Sequence, residues 1–337
     1  MSEVVLSVQD VSIVYRVSRG QVKASQHISF DLHKGESLAL IGESGSGKTT
    51  VSLSFIDMLP SAAKITGGKV LYTRDGKTEN IFEFSEARMR DFRWHDCAMV
   101  FQGAQNAFNP VLKIKEQFLD TARAHGWRDK GKVIKRTLEL LRLVRLDPER
   151  TLESFPHELS GGMKQRTLLA LGVLLDPQVV ILDEPTTALD ILTQRAIIEV
   201  LKEMQSRLGF SIIFISHDLA LAAEMADRVA TMYAGEMVEL GSTQHIFYEP
   251  LHPYSLGLLQ SVPRLSQDKD ELSSIKGNPP DLIDPPSGCK FHPRCPFAQE
   301  LCNQEEPVFK EHEPGHFAAC HFTENVIEAR ANLWKKD

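Results

Sequence analysis

The segment Gly42-Glu43-Ser44-Gly45-Ser46-Gly47-Lys48-Thr49 fits the pattern G-x-x-x-x-G-K-[ST] at every fixed position. Glycines at these places let the backbone curl until several N–H groups face one anion. A helix starting at Lys48 adds the partial positive charge of its N-terminus. Lys48 is placed to reach the β- and γ-phosphates of a nucleotide such as ATP, Thr49 to offer its hydroxyl to Mg²⁺, and Thr50 to extend the same cradle. The flanks agree: Ser37–Ile41 reads as a short buried strand and 51–56 as the first turns of a helix. A chance glycine-serine turn would need neither.

Four further motifs follow in order. The apolar run Val179-Val180-Ile181-Leu182 reads as a buried parallel strand and ends in Asp183-Glu184. An acidic pair after a strand often only caps a helix. Downstream of a phosphate loop, Asp183 is expected to hold Mg²⁺ and Glu184 to polarise the attacking water as general base. In Leu159-Ser160-Gly161-Gly162-Met163-Lys164-Gln165-Arg166, a Ser-Gly-Gly turn opens a helix and makes a second anion site. It has no strand directly before it and no lysine of the phosphate-loop kind. Since residues 42–49 already cradle one nucleotide, Ser160, Gly161 and Gly162 are expected to meet the γ-phosphate of a nucleotide on another subunit. His217, after the strand 211–215, faces the crevice of Asp183 and can bond the γ-phosphate or the water. Gln102, after Met99-Val100-Phe101, offers an amide to Mg²⁺ or water. Tyr15, on an early strand, either stacks on adenine or is a half-buried strand aromatic.

The elements that must position these groups fall into three regions. Residues up to about 100 are strand-rich: Val11, Ile13, Tyr15 and Val17 alternate, as do Ile28, Phe30 and Leu32, and 69–84 reads as a hairpin turning near Asp75-Gly76. A small antiparallel sheet beside a parallel core is expected. Residues 101–175 read as helical, with apolar spacing over 113–123 and 131–146. The α/β pattern then returns, with an amphipathic helix over Ile191–Leu208, a buried strand over 211–215 and a hairpin over 229–240 turning near Gly235. Beyond about 250 prolines multiply, and an extended linker is expected to lead into a cysteine-rich tail.

The 337 residues allow one large or two medium domains. A net charge of −7 argues against nucleic acid as the main partner. No apolar run approaches the roughly 18 residues of a membrane span, and the N-terminus lacks a secretory pattern, so a cytoplasmic chain reaching a membrane through other subunits is expected. Of five cysteines, Cys97 reads as a core thiol, while Cys289, Cys295, Cys302 and Cys320 cluster late. In a reducing compartment this implies metal rather than disulfides. Four thiolates suit zinc or an iron–sulfur cluster. The spacing has neither a close C-x₂₋₄-C pair nor a ferredoxin run and leaves the metal open; nearby His292, His316 and His321 keep a mixed zinc site in play.

The ordered set resembles the ATPase subunit of an ATP-binding cassette (ABC) transporter over residues 3 to about 245. Gly42–Thr49 matches the Walker A loop, Gln102 the Q-loop, Leu159–Gly162 the signature, Val179–Glu184 the Walker B strand, Ala188-Leu189-Asp190 the D-loop and His217 the switch histidine. The resemblance implies an α/β P-loop NTPase fold with a parallel core sheet, an antiparallel β subdomain and a helical subdomain. It also implies a head-to-tail dimer that sandwiches each ATP. In the tail, 249–255 and 288–296 resemble the C-terminal extension of dipeptide/oligopeptide (Dpp/Opp) import ATPases, and 184–190 is more like the first of the two ATPases these systems pair. The implied organisation is a nucleotide-binding domain over 1–250, with its helical subdomain at about 103–175, and an extension over 251–337.

The implied partners are two permeases, a second ABC ATPase and an extracytoplasmic substrate-binding protein, with the chain at the cytoplasmic face of the cell membrane. The implied tail centre is a [4Fe–4S] cluster, with Zn²⁺ as the alternative. Relatives of this branch also import oligosaccharides or nickel, and soluble ABC ATPases outside transport are the other class. One stretch departs from the family pattern. After Gln102 the chain reads Gly103-Ala104-Gln105-Asn106-Ala107-Phe108-Asn109-Pro110 instead of an acidic residue and a Ser-Leu-Asn-Pro run, which touches only the fit to the permease.

Overall fold

Five parallel strands run side by side, and the candidate site lies along the ends of four of them. A computed structural model describes residues 3–103, 107–187, 189–261 and 275–333. The chain opens with β1 (Val4–Val17), β2 (Gly20–His33) and β3 (Ser37–Ile41), and the phosphate loop leads from β3 into α1 (Lys48–Phe55). A hairpin of β4 (Ala63–Arg74) and β5 (Lys77–Asn80), then α2 (Glu86–His95) and β6 (Cys97–Val100), complete the first region. Four helices follow: α3 (Ile114–Ala124), α4 (Lys130–Leu143), α5 (Pro148–Glu153) and α6 (Gly161–Gly172). The core resumes with β7 (Val179–Asp183), α7 (Ile191–Leu208), β8 (Ser211–Ser216), α8 (Leu219–Met225), β9 (Arg228–Tyr233) and β10 (Glu236–Ser242). The C-terminal part holds α9 (Thr243–Tyr248), α10 (Pro253–Gln260), α11 (Glu300–Gln304), β11 (Lys310–Glu313), β12 (His316–Ala318) and α12 (Thr323–Leu333).

Two sheets form, as the strand patterns predict. The antiparallel one runs β2-β1-β4-β5, with its turn at Asp75-Gly76. The main sheet runs β11-β12-β10-β9-β3-β8-β7-β6; the stretch from β9 to β6 is parallel. Every residue of β3, β7 and β8 is buried, which is why these strands are unbroken apolar runs rather than alternating ones. Register aligns their ends: Ile41 lies opposite Ser216, Asp183 opposite Ile215 and Val100 opposite Leu182. Phe214, in the middle of this layer, is fully buried. Its truncation to Ala would cost about 3–5 kcal/mol, a large share of a typical domain's net stability.

The 191–208 helix has the bounds its pattern predicts because both ends are marked. Asp190 accepts the Thr193 N–H at the N-cap, and Gly209 closes the helix in the left-handed region at φ 75°.

The tail differs from expectation at its start. The stretch from 250 is not wholly an extended linker: Pro253 opens α10, and Tyr254, Leu256 and Leu259 are buried. Proline is tolerated in a first helical turn, where its missing N–H is not needed, so its presence did not argue against a helix there. The expected linker proline Pro263 lies outside the described residues. The chain then returns to the core, since β12 pairs with β10 and extends the main sheet. Glu239 on β10, fully buried, accepts from the N–H groups of Leu251 and His252 at 2.7 and 3.1 Å and lies 2.8 Å from His316 Nε2 on β12.

Candidate active site

The phosphate loop is formed and needs its glycines. Gly42 has φ 146°, and a Cβ there would lie 2.1 Å from the Met232 carbonyl oxygen; at Gly47, φ 101°, it would lie 2.3 Å from that of Ala24. Backbone strain and backbone collision together exclude any side chain at either position. Lys48 Nζ points back into the loop and donates to the Gly42 and Glu43 carbonyls at 2.8 and 2.9 Å and to Ser46 Oγ at 3.1 Å. Burial lowers its pKa to about 8, against the opposing pull of Glu184, Asp183 and Glu43. An incoming phosphate would give this buried ammonium charged acceptors in place of neutral ones.

Thr49 Oγ1 donates to Asp183 Oδ1 at 3.1 Å, which joins the loop to the end of β7. Burial raises the Asp183 pKa, with the Thr49 bond opposing and Glu184 adding to the rise. A hydroxyl and a buried carboxylate are hard oxygen donors of the kind Mg²⁺ takes. Tyr15 Oη lies 3.2 Å from Thr50 Oγ1, so the β1 aromatic borders the start of α1.

Gln102 and His217 both reach the Glu184 carboxylate. Gln102 Nε2 donates to Glu184 Oε2 at 2.9 Å, and His217 Nδ1 lies 3.1 Å from Glu184 Oε1. Thr187 Oγ1 also donates to Glu184 Oε2, at 2.9 Å; no motif pattern flagged it beyond its place after Glu184-Pro185-Thr186. Glu184 has φ 47°, uncommon for a side-chain-bearing residue, and its N–H donates to the Ile215 carbonyl at 3.0 Å. The backbone thus turns sharply off β7 and presents the carboxylate to the strand ends.

Ser160 caps α6, accepting the Met163 N–H at 3.3 Å. Gly161 opens that helix, and Gly162 packs against α7, where a Cβ would meet Thr193 Cγ2 at 2.7 Å. Leu189 and Asp190 are described, with Asp190 as the α7 cap; Ala188, and Ala104, Gln105 and Asn106 of the divergent stretch, lie outside the described residues.

Cys289, Cys295, Cys302 and Cys320 line one small cavity together with His252, His292 and His321. His316 does not join it; it belongs with Glu239. Burial raises the thiol pKa of Cys289 and lifts those of Cys295 and Cys320 to about 12, with the neighbouring thiols adding to the effect. Cys97 is buried on β6, as expected of a core thiol. Two further residues reach the phosphate loop from this tail: Tyr254 Oη accepts the Glu43 N–H at 2.8 Å, and Arg294 pairs with the Glu43 carboxylate. Both lie in the family-like stretches 249–255 and 288–296, but nothing in those stretches by themselves points to a contact with the loop.

Residues 25–187 match the family model for the ABC transporter, and 238–302 that for the oligopeptide/dipeptide transporter C-terminal region. A dipeptide transport ATP-binding protein, DppD, of Caldanaerobacter subterraneus subsp. tengcongensis is 45% identical over 322 residues, covering 95% of this chain and 98% of that protein. The chain belongs to the Dpp/Opp family of ABC-transporter ATP-binding proteins. The oligopeptide transport ATP-binding protein OppD of Bacillus subtilis is 42% identical to this Dpp/Opp ATPase over 309 residues, 90% of this chain and 85% of that protein. Among solved structures, the cbiO1 part of the Clostridium perfringens cbiONQ ABC transporter complex superposes with a TM-score of 0.62 at 27% identity, over 74% of this chain and 92% of that one. A dimeric ATP-binding cassette in a post-hydrolysis state with ADP and Pi gives 0.61 at 25%, over 71% and 98%. The chain is therefore an ABC-fold ATPase that serves transport. Among its described residues no helix is long and apolar enough to cross a membrane.

Proposed function

We propose that this Dpp/Opp ATPase powers import of dipeptides or oligopeptides. The observation that carries the reading is 42–45% identity, over nine-tenths or more of the chain, to proteins named for dipeptide and oligopeptide transport. Its place is the cytoplasmic face of the cell membrane, against two permeases, beside a second ATPase, with an extracytoplasmic binding protein delivering the solute. Residues 1–250 act as the nucleotide-binding domain, with about 103–175 as its helical subdomain, and 251–337 as the accessory extension.

ATP binds on Gly42–Thr50, with Tyr15 against the base, while Ser160, Gly161 and Gly162 meet the γ-phosphate of the nucleotide held by the partner ATPase. Ile191 and Leu192, both 80% exposed beside Asp190, support a partner on this face. Thr49, Asp183 and Gln102 hold Mg²⁺, which supplies charge neutralisation. Glu184 takes the proton of the attacking water, held in place by Gln102, Thr187 and His217, and Lys48 offsets charge on the phosphates.

The four-cysteine cavity is read as the site of a [4Fe–4S] cluster. Four thiols around one cavity, with His252, His292 and His321 beside them, support a thiolate-bound centre. Oxygen-free purification should yield brown protein with about four irons per chain. Colourless protein with stoichiometric zinc overturns the cluster.

The function is tested by capture of the tagged chain from detergent-solubilised native membranes and by uptake assays on cells lacking it. Recovery of two permeases and a second ATPase, with loss of labelled peptide uptake, is expected. Soluble partners only, or loss of oligosaccharide or nickel uptake with peptide uptake intact, rejects it.

A further inference from the structure

Glu43 sits inside the phosphate loop yet is gripped from outside it. Arg294 Nη1 donates to its Oε2 at 2.6 Å and Nη2 to its Oε1 at 3.0 Å. Its N–H goes to Tyr254 Oη at 2.8 Å, and its carbonyl accepts from Lys48 Nζ at 2.9 Å. The carbonyl also accepts the Ser46 N–H at 3.2 Å, so every polar group of residue 43 is used, and two of its four partners lie beyond residue 250.

Arg294 is built for the purpose. Its side chain is 5% exposed, and it also donates to Tyr233 Oη at 3.3 Å and to the carbonyls of Lys276 and Gly277 at 2.9 and 3.2 Å. The guanidinium packs over the Tyr233 ring at 5.7 Å. A planar fork held at this many points cannot swing, and its paired bonds to a carboxylate are charge-assisted. It also offsets a negative charge that would otherwise face an incoming triphosphate. The next residue is Cys295, which lines the four-cysteine cavity. Tyr233, Tyr254 and Phe291 fill the space between cavity and loop, with ring centroids 4.7–5.4 Å apart, and Cys289 and Cys295 pack against them.

We infer that Arg294 is a positioning residue for ATP binding, acting through Glu43 and tying the phosphate loop to the four-cysteine cavity. The inference holds whatever group the thiols carry. If ATP holds Glu43 more firmly, the Arg294 pair carries that restraint to the segment 289–296.

The test uses the full chain as purified, with its centre in place, and binding of a fluorescent ATP analogue to wild type, R294Q, E43Q and the double variant. R294Q should weaken binding about tenfold in the wild-type background and by less than about twofold in the E43Q background. A role confined to packing on Tyr233 would give the same loss in both. Hydrogen exchange supplies a readout independent of hydrolysis: ATP should slow exchange over 289–296 in wild type and not in E43Q. Unchanged binding by R294Q, or equal losses in the two backgrounds, overturns the inference. If R294Q fails to fold, ATP protection of 289–296 that persists in E43Q overturns it.

Discussion

Gln102 Nε2 lies 2.9 Å from Glu184 Oε2, so the second residue after β6 and the first after β7 share one hydrogen bond. The bond exists because β6 and β7 are parallel neighbours with Val100 opposite Leu182. It leaves Glu184 oriented toward the crevice rather than free in solvent.

Glu184→Gln keeps the shape and removes the basic oxygen. Phosphate release should fall by a factor on the order of 10²–10⁴, while ATP binding stays near wild type. Single-turnover measurement of phosphate beside equilibrium binding separates the two. Substantial residual turnover would reject Glu184 as the base.

Asp183→Asn keeps a hydrogen-bond acceptor for Thr49 Oγ1 but loses the charge. Nucleotide binding with Mg²⁺ should weaken about tenfold or more, and binding in EDTA should change little. Equal effects with and without Mg²⁺ would mean that Asp183 only braces the loop.

Lys48, with its pKa lowered to about 8 from 10.5, gives ATP binding a pH signature. Below about pH 8 the free protein already carries the charge. Above it, binding must take up a proton, so affinity should fall as pH rises, by up to about tenfold per unit. Calorimetry in buffers of different ionisation enthalpy should show proton uptake near pH 9 and little near pH 7. The sign for folding is opposite. Between about 8 and 10.5 the unfolded chain binds more protons at this residue than the folded one does, so this group's destabilising contribution fades as pH rises through that window.

Ser160→Ala removes the α6 cap and should cost about 1 kcal/mol of stability by thermal or denaturant unfolding. If Ser160 also meets the partner's nucleotide, ATP-driven dimerisation of the Glu184→Gln protein with the second ATPase should weaken too, as measured by sedimentation. A stability loss with unchanged dimerisation would leave Ser160 as a cap alone.

Much of this site was legible from short stretches, because its chemistry is local. A phosphate loop is eight consecutive residues whose glycines, lysine and threonine act through their own backbone, and Gly42 and Gly47 meet the Met232 and Ala24 carbonyls as such a curl requires. Strands β3, β7 and β8 were visible as apolar runs because both faces of a parallel sheet are covered. Helix 191–208 was readable to the residue from its own cap and closing glycine. The helix over Pro253–Gln260 was missed because proline density, which usually marks loops, says nothing once a proline stands in a first helical turn.

What the sequence by itself determined is therefore the nucleotide loop and the strand-end acids, each specified within a few residues, and the late cluster of four cysteines. Only the tertiary structure decided which of them touch. Parallel register brings Gln102, Glu184 and His217 to one carboxylate, and a pairing across 251 positions puts Arg294 on Glu43. Contacts of that kind arise from how the sheet and the tail pack, and no local propensity or spacing encodes them.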